Sequence, residues 1–91
     1  MKYYVYLLFS KEFNRTYVGQ TQNLENRLDY HNSGKVRSTK HHRPWIILYD
    51  EEFRSRSEAM KREKWFKSSV GRKFIRELLS KLSVESLQDD N

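Results

Sequence analysis

Apolar residues recur along this chain with two different periods. Tyr3-Tyr4-Val5-Tyr6-Leu7-Leu8-Phe9 is rich in aromatic and β-branched residues, and Thr16 to Gly19 is a second, shorter run, so both predict strands. The polar segment Ser10 to Arg15 between them suits a hairpin loop, which makes the expected pairing antiparallel. After Gly19 the period lengthens. Leu24, Leu28 and His31 fall at i, i+4 and i+7, one face of a helix, and Asn32-Ser33-Gly34 supplies its stop. Arg27 and His31 are four residues apart and share a side of that helix.

Pro44 then opens Trp45-Ile46-Ile47-Leu48-Tyr49, a continuous apolar run. It suits a strand covered on both sides or central in a small sheet, since proline is tolerated at a strand's first position. Ser55-Arg56-Ser57-Glu58 has the form of a capping box, and Ala59, Glu63 and Phe66 follow at helical spacing, predicting a helix to about Ser69. Gly71 is expected to separate it from a last helix in which Phe74, Ile75, Leu78, Leu79 and Leu82 form a broad apolar stripe. Residues 83–91 are polar and acidic apart from Val84 and Leu87, and read as a fraying tail behind one domain over 1–82.

Composition narrows what such a domain does. At 91 residues it holds one modest core and room for one site. Lys and Arg number 18 against 12 acids, and the resulting charge of +6 favours a polyanion as partner. The segment Lys35 to Arg43 concentrates this excess: Lys35, Arg37, Lys40 and Arg43 occur with no acid among them, as in a flexible loop that tracks phosphates. The absence of cysteine excludes disulfides, thiolate chemistry and the common structural zinc sites. His41 and His42 are adjacent and His31 is distant, without the usual zinc-ligand spacing. The apolar N-terminal stretch is far too short to span a bilayer and has no small-residue cleavage site after it, so a cytoplasmic location is expected.

Four kinds of residue stand where a stable fold would prefer something else. Glu63 lies on the same stripe as Ala59 and Phe66, where a carboxylate needs a cation. Arg62, Lys64 or Lys67 would satisfy it as a salt bridge, and a hard divalent ion with waters completing its shell would satisfy it as a metal site. Arg27, beside Leu24 and Leu28, either snorkels to the surface or turns its planar fork into a polar cleft, where it suits phosphate oxygens. Tyr6 and Tyr17, on adjacent strands, either pack with a wet tip or bring two hydroxyls to one face. His31 either caps its helix or hydrogen-bonds the same phosphate or phenol.

Tyr4-Val5-Tyr6, Tyr17-Val18-Gly19, Arg27, the string His31-Asn32-Ser33-Gly34 and Glu63, taken in that order, resemble the GIY-YIG nuclease domain. The likeness runs from about Lys2 to Leu79 and is nearest to the small stand-alone bacterial members, which are also similar to the N-terminal incision domain of the excision-repair endonuclease. It implies an α+β fold, a small three-stranded antiparallel sheet flanked by helices. It implies one divalent metal, Mg²⁺ or Mn²⁺, on Glu63, and phosphate stabilisation by Arg27. A water would be activated near Tyr17, with Tyr6 and His31 assisting. Three positions depart from the pattern. Tyr-Val-Tyr replaces Gly-Ile-Tyr, Gln20 stands where some repair-type relatives have a lysine, and Ile75 lies near the place of an asparagine found in others.

The reading that follows is a metal-dependent DNA endonuclease, for repair or processing. Its rival is a nucleic-acid-binding module of the same fold that cuts weakly or not at all. A third class, a structural protein associating through its aromatic sheet, has no need of Glu63 or Arg27. RNA is compatible with the same chemistry, a second copy of the chain would supply a second strand cut, and a larger repair protein is the alternative partner.

Overall fold

The computed structural model describes the backbone of residues 1–89 and the side chains of residues 1–82. The elements follow in the order β1 (Tyr3–Ser10), β2 (Arg15–Thr21), α1 (Leu24–Asn32), a single 3₁₀ turn (Lys40–His42), β3 (Ile46–Phe53), α2 (Arg56–Phe66) and α3 (Ser69–Asp89). They build the expected α+β arrangement around one antiparallel sheet of order β2-β1-β3. The hairpin joining β1 to β2 turns through Asn14, whose φ of 52° is a left-handed conformation that asparagine tolerates better than most residues.

β1 is the central strand, and its burial explains why it has no polar side. Val5, Tyr6, Leu7 and Leu8 are all buried, because helices or loops cover both faces of the sheet. Val5 and Leu7 point to one face, where Val18, Ala59, Phe66 and Ile75 complete a core with α2 and α3. Tyr6 and Leu8 point to the other, joined by Trp45 and flanked by Leu24 and Leu28 of α1. The expectation for Trp45 to Tyr49 is corrected here. That run does begin a strand, but the strand lies at the sheet edge and continues through Asp50, Glu51 and Glu52, with Ile46 53% exposed. A continuous apolar run at its start does not make a strand central when its second half is acidic.

α2 begins as its capping sequence predicts. Ser55 Oγ accepts a hydrogen bond from the Glu58 amide at 3.2 Å. The helix ends at Phe66, about three residues earlier than expected. Gly71 also differs from its predicted role: it lies inside α3, whose first residue is Ser69. Its function is steric. A β-carbon there would run into the Trp65 carbonyl oxygen and the Phe66 backbone, so the missing side chain lets α3 cross directly over the end of α2. The segment 83–91, read as a tail, lies outside the side chains described, and the backbone of α3 is helical to Asp89.

A network that periodicity did not reveal ties β3 to α2. Arg62 Nε meets Glu51 Oε1 at 2.7 Å and its Nη2 meets Oε2 at 3.0 Å, while Tyr49 donates to Oε2 at 2.7 Å. The guanidinium also stacks over Trp65 at 4.0 Å. Arg62 is thus occupied and leaves Glu63 to another partner.

Gly71→Ala should destabilise the protein by about 1–3 kcal/mol, the usual cost of overpacking, despite alanine's better helix propensity. Thermal melts followed by circular dichroism measure it; an unchanged or raised melting temperature would show that the crossing can relax.

Candidate active site

β2 supplies the space on which the site depends. Gly19 stands opposite Tyr6 in the sheet register, and a β-carbon at Gly19 would lie 2.5 Å from the Tyr6 hydroxyl oxygen. Glycine there lets the Tyr6 ring lie across the neighbouring strand and carry its hydroxyl to α1. Two residues of α1 meet it. Arg27 Nε donates to the Tyr6 oxygen at 3.3 Å, and His31 Nε2 lies 3.0 Å from the same atom. The Tyr17 ring stands edge-on to His31 with centroids 4.9 Å apart, and it lies tilted by 35° to the Tyr6 ring at 6.4 Å. The structure therefore brings together Tyr6, Tyr17, Arg27 and His31.

His31 is fully buried, as is Thr39, whose Oγ1 lies 2.8 Å from His31 Nδ1. Burial, reinforced by the Arg27 charge, lowers the imidazole pKa to about 4, so the ring is neutral near pH 7 with one donor and one acceptor. Only one orientation gives every buried donor an acceptor. Arg27 donates to the Tyr6 oxygen, Tyr6 donates to His31 Nε2, His31 Nδ1–H donates to Thr39, and the Thr39 hydroxyl donates to the Val36 carbonyl at 3.4 Å. Burial also raises the Tyr6 pKa, outweighing the lowering effect of Arg27, and keeps the phenol a proton donor.

Thr39 was missed because nothing in its sequence setting marks it. It sits in the basic segment, eight residues from His31, with no period to associate them. That segment is not the free loop expected. Asn32 accepts from the Trp45 amide at 2.7 Å and donates to the Trp45 carbonyl at 3.0 Å, while Trp45 Nε1 donates to the Thr39 carbonyl at 2.9 Å. Arg43 packs its guanidinium against Gly34 and donates to the carbonyls of Lys40 at 2.7 Å and Asn32 at 3.5 Å. Lys35 lies over the Tyr30 ring at 5.6 Å; Arg37 and Lys40 are exposed.

Glu63 projects from α2 near enough for its charge to raise the Tyr6 pKa. Its Oε2 accepts from Lys67 Nζ at 2.9 Å, one of the salt bridges weighed from the sequence. Its Oε1 has no hydrogen bond among the described residues. No cluster of three potential metal ligands occurs among them. A single carboxylate with one uncommitted oxygen suits a hard divalent ion that keeps water and substrate oxygens in the rest of its shell. Glu63 could therefore hold such an ion in exchange for Lys67.

The GIY-YIG catalytic domain model matches residues 2–75. The chain is 48% identical to UPF0213 protein SH2523 of Staphylococcus haemolyticus over 63 residues, covering 68% of this chain and 76% of that protein. It is 40% identical to UPF0213 protein OB0043 of Oceanobacillus iheyensis over 63 residues, covering 68% and 72%. Among solved structures it is similar to the solution NMR structure of UPF0213 protein BH0048 from Bacillus halodurans, at a TM-score of 0.51 and 31% identity, with 86% of this chain and 85% of that one covered. Among the described residues no helix is long and apolar enough to cross a membrane.

Three outcomes are expected from the buried chain of hydrogen bonds. Nitrogen NMR should find His31 protonated at Nδ1 and not at Nε2, with its titration near pH 4. A pKa near 6.5 or the opposite tautomer would break the assignment. Because the folded pKa is depressed, this contribution to stability is complete above about pH 6.5 and is lost as pH falls from there towards 4. Thr39→Val, which keeps the shape and removes the acceptor, should cost about 1–3 kcal/mol in a denaturant titration; a neutral result would mean that Nδ1–H finds another partner.

Proposed function

The chain belongs to the GIY-YIG family of nuclease domains, which act on nucleic acid and generally use a divalent metal, and on that footing we propose that it is a DNA endonuclease cutting phosphodiester bonds with one Mg²⁺ or Mn²⁺. The observation that carries this reading is the convergence of two phenols, a guanidinium and a buried neutral imidazole. Neither a packing role nor simple phosphate binding needs all of them in one place.

The two tyrosines have different parts. Tyr6 is fixed: it gives its proton to His31 and takes a bond from Arg27, and burial keeps it protonated. Tyr17, half-buried and facing the same cluster, is the phenol left to serve as general base: with its own proton first released to solvent, its oxygen would take the proton of the attacking water. His31 has both nitrogens engaged and holds Tyr6 in place rather than carrying protons. Arg27 gives its Nε to Tyr6 and also interacts with the Tyr17 hydroxyl, and its planar fork would meet non-bridging oxygens as charge builds on phosphorus. Glu63 is the residue that would hold the metal, with Lys67 yielding its place. A bound divalent ion would supply Lewis-acid polarisation of the phosphate and neutralise the leaving oxygen. Lys35, Arg37 and Lys40 would add sequence-independent attraction to the backbone; Arg43, bonded within its own loop, would add less.

A binding module that does not cut is the second reading, and the Lys67 bridge on Glu63 favours it, since a neutralised carboxylate attracts a cation less. Metal titrations with labelled DNA separate the two. Glu63→Gln should abolish cleavage while leaving the fold and DNA affinity nearly intact, and equal nuclease activity in variant and parent would sink the assignment. Arg27→Lys should lower turnover by a factor of order ~10², in the range for loss of one oxyanion donor, with little change in affinity. If affinity fell and turnover did not, Arg27 would only position the substrate.

A further inference from the structure

A groove that shares Tyr17 and Lys67 with the site is not used by the reaction described above. It runs between β2 and α3, with a volume of about 520 Å³, and Tyr17 forms part of its wall. Val18, Ile75 and Leu79 line its floor, while Lys67, Arg72 and Arg76 line its rim. Arg72 and Arg76 are four apart on α3 and therefore project from one side of the helix. Both are exposed, and neither is paired with a carboxylate among the described residues. β2 is an edge strand, so no further strand closes the groove on that side.

We propose that this groove takes a single-stranded segment of nucleic acid running away from Tyr17, with its phosphates on Arg72 and Arg76 and its unpaired bases against the apolar floor. The proposal rests on the nuclease reading and names the form of substrate that this site would take. Two properties of the groove together favour a single strand over a duplex. Cations at a rim match phosphates of either form. An apolar floor matches only a strand whose bases are unstacked and free to turn inward, because a duplex presents sugars and phosphates outside and keeps its base faces within. Lys67 belongs to both places. It bridges Glu63 at 2.9 Å and lines the groove, so a cation taken up by Glu63 would release it towards the same phosphates.

The inference is tested by binding, with metal withheld by chelator so that no cleavage is needed. Fluorescence anisotropy would compare a blunt DNA duplex with duplexes of the same length carrying a short single-stranded 5′ or 3′ extension, for the parent and for Arg72→Gln/Arg76→Gln. The parent should prefer one of the extended duplexes by about tenfold, equivalent to ~1.4 kcal/mol. The double variant should lose that preference and bind blunt duplex as the parent does. For the extension, the slope of log K against log salt should fall by about 1.4, two phosphates at ~0.7 each on single strands. A separate variant, Leu79→Asn, should weaken the preference without altering the slope. Equal parental affinity for blunt and extended DNA would overturn the proposal, as would equal losses on both substrates in the arginine variant. Since neither outcome depends on cleavage, failure of the groove and failure of the nuclease assignment are read separately; melting curves confirm that each variant is folded.

Discussion

A buried imidazole that must stay uncharged governs the functional half of this molecule. His31 has no exposed surface, and the Arg27 cation lies close by, so protonation would put two like charges together with little water between them. The ring is tolerable only as a neutral group with both nitrogens matched. Tyr6 and Thr39 match them, and in doing so they bind the central strand and the loop after α1 to a single residue of that helix. Losing either partner leaves a buried polar atom unsatisfied, which costs more than an ordinary hydrogen bond contributes. The geometry of the phenols is thus maintained by the same contacts that hold the loop down.

The sheet divides labour between its faces. On the α2 and α3 side, Phe66, Tyr49, Phe74 and Trp65 meet edge to face, and the Glu51–Arg62 pair fastens β3 to the helix above it. That side supplies rigidity. On the α1 side the packing is interrupted by hydroxyls, an amide and the imidazole; Tyr6, Thr39, Asn32 and His31 are matched, while the buried Ser10 hydroxyl has no hydrogen-bond partner among the described residues. Glu63 comes from the rigid side, yet its charge reaches Tyr6 on the other.

Much of this was legible in the sequence because it rests on local rules. Alternation and helical spacing located the strands and helices, Ser55 marked the start of α2, and the grouping of Tyr6, Tyr17, Arg27 and His31 followed from the ordered motifs. What escaped depends on contacts between distant segments. Trp45 to Tyr49 looked like a central strand because local hydrophobicity does not encode strand order. Gly71 looked like a break because glycine marks helix ends and close helix crossings alike. Thr39 carried no signal at all, since a hydroxyl in a polar loop looks the same whether it faces water or a buried histidine. Lys67 was legible only as one of three possible partners for Glu63, and side-chain geometry selected it.

The close crossing at Gly71 also sets the point from which the rest of α3 departs. α3 continues for 18 residues beyond it to Asp89, an arm of about 27 Å at 1.5 Å per residue. A tilt of about 10° at the crossing would carry the far end of such an arm by roughly 5 Å. Arg72 and Arg76 lie within the first turn and a half from the crossing, where the same tilt displaces them hardly at all. One absent methyl group thus fixes where the part of the helix that borders the groove begins, and Phe74, Ile75, Leu78 and Leu79 hold that part against the core.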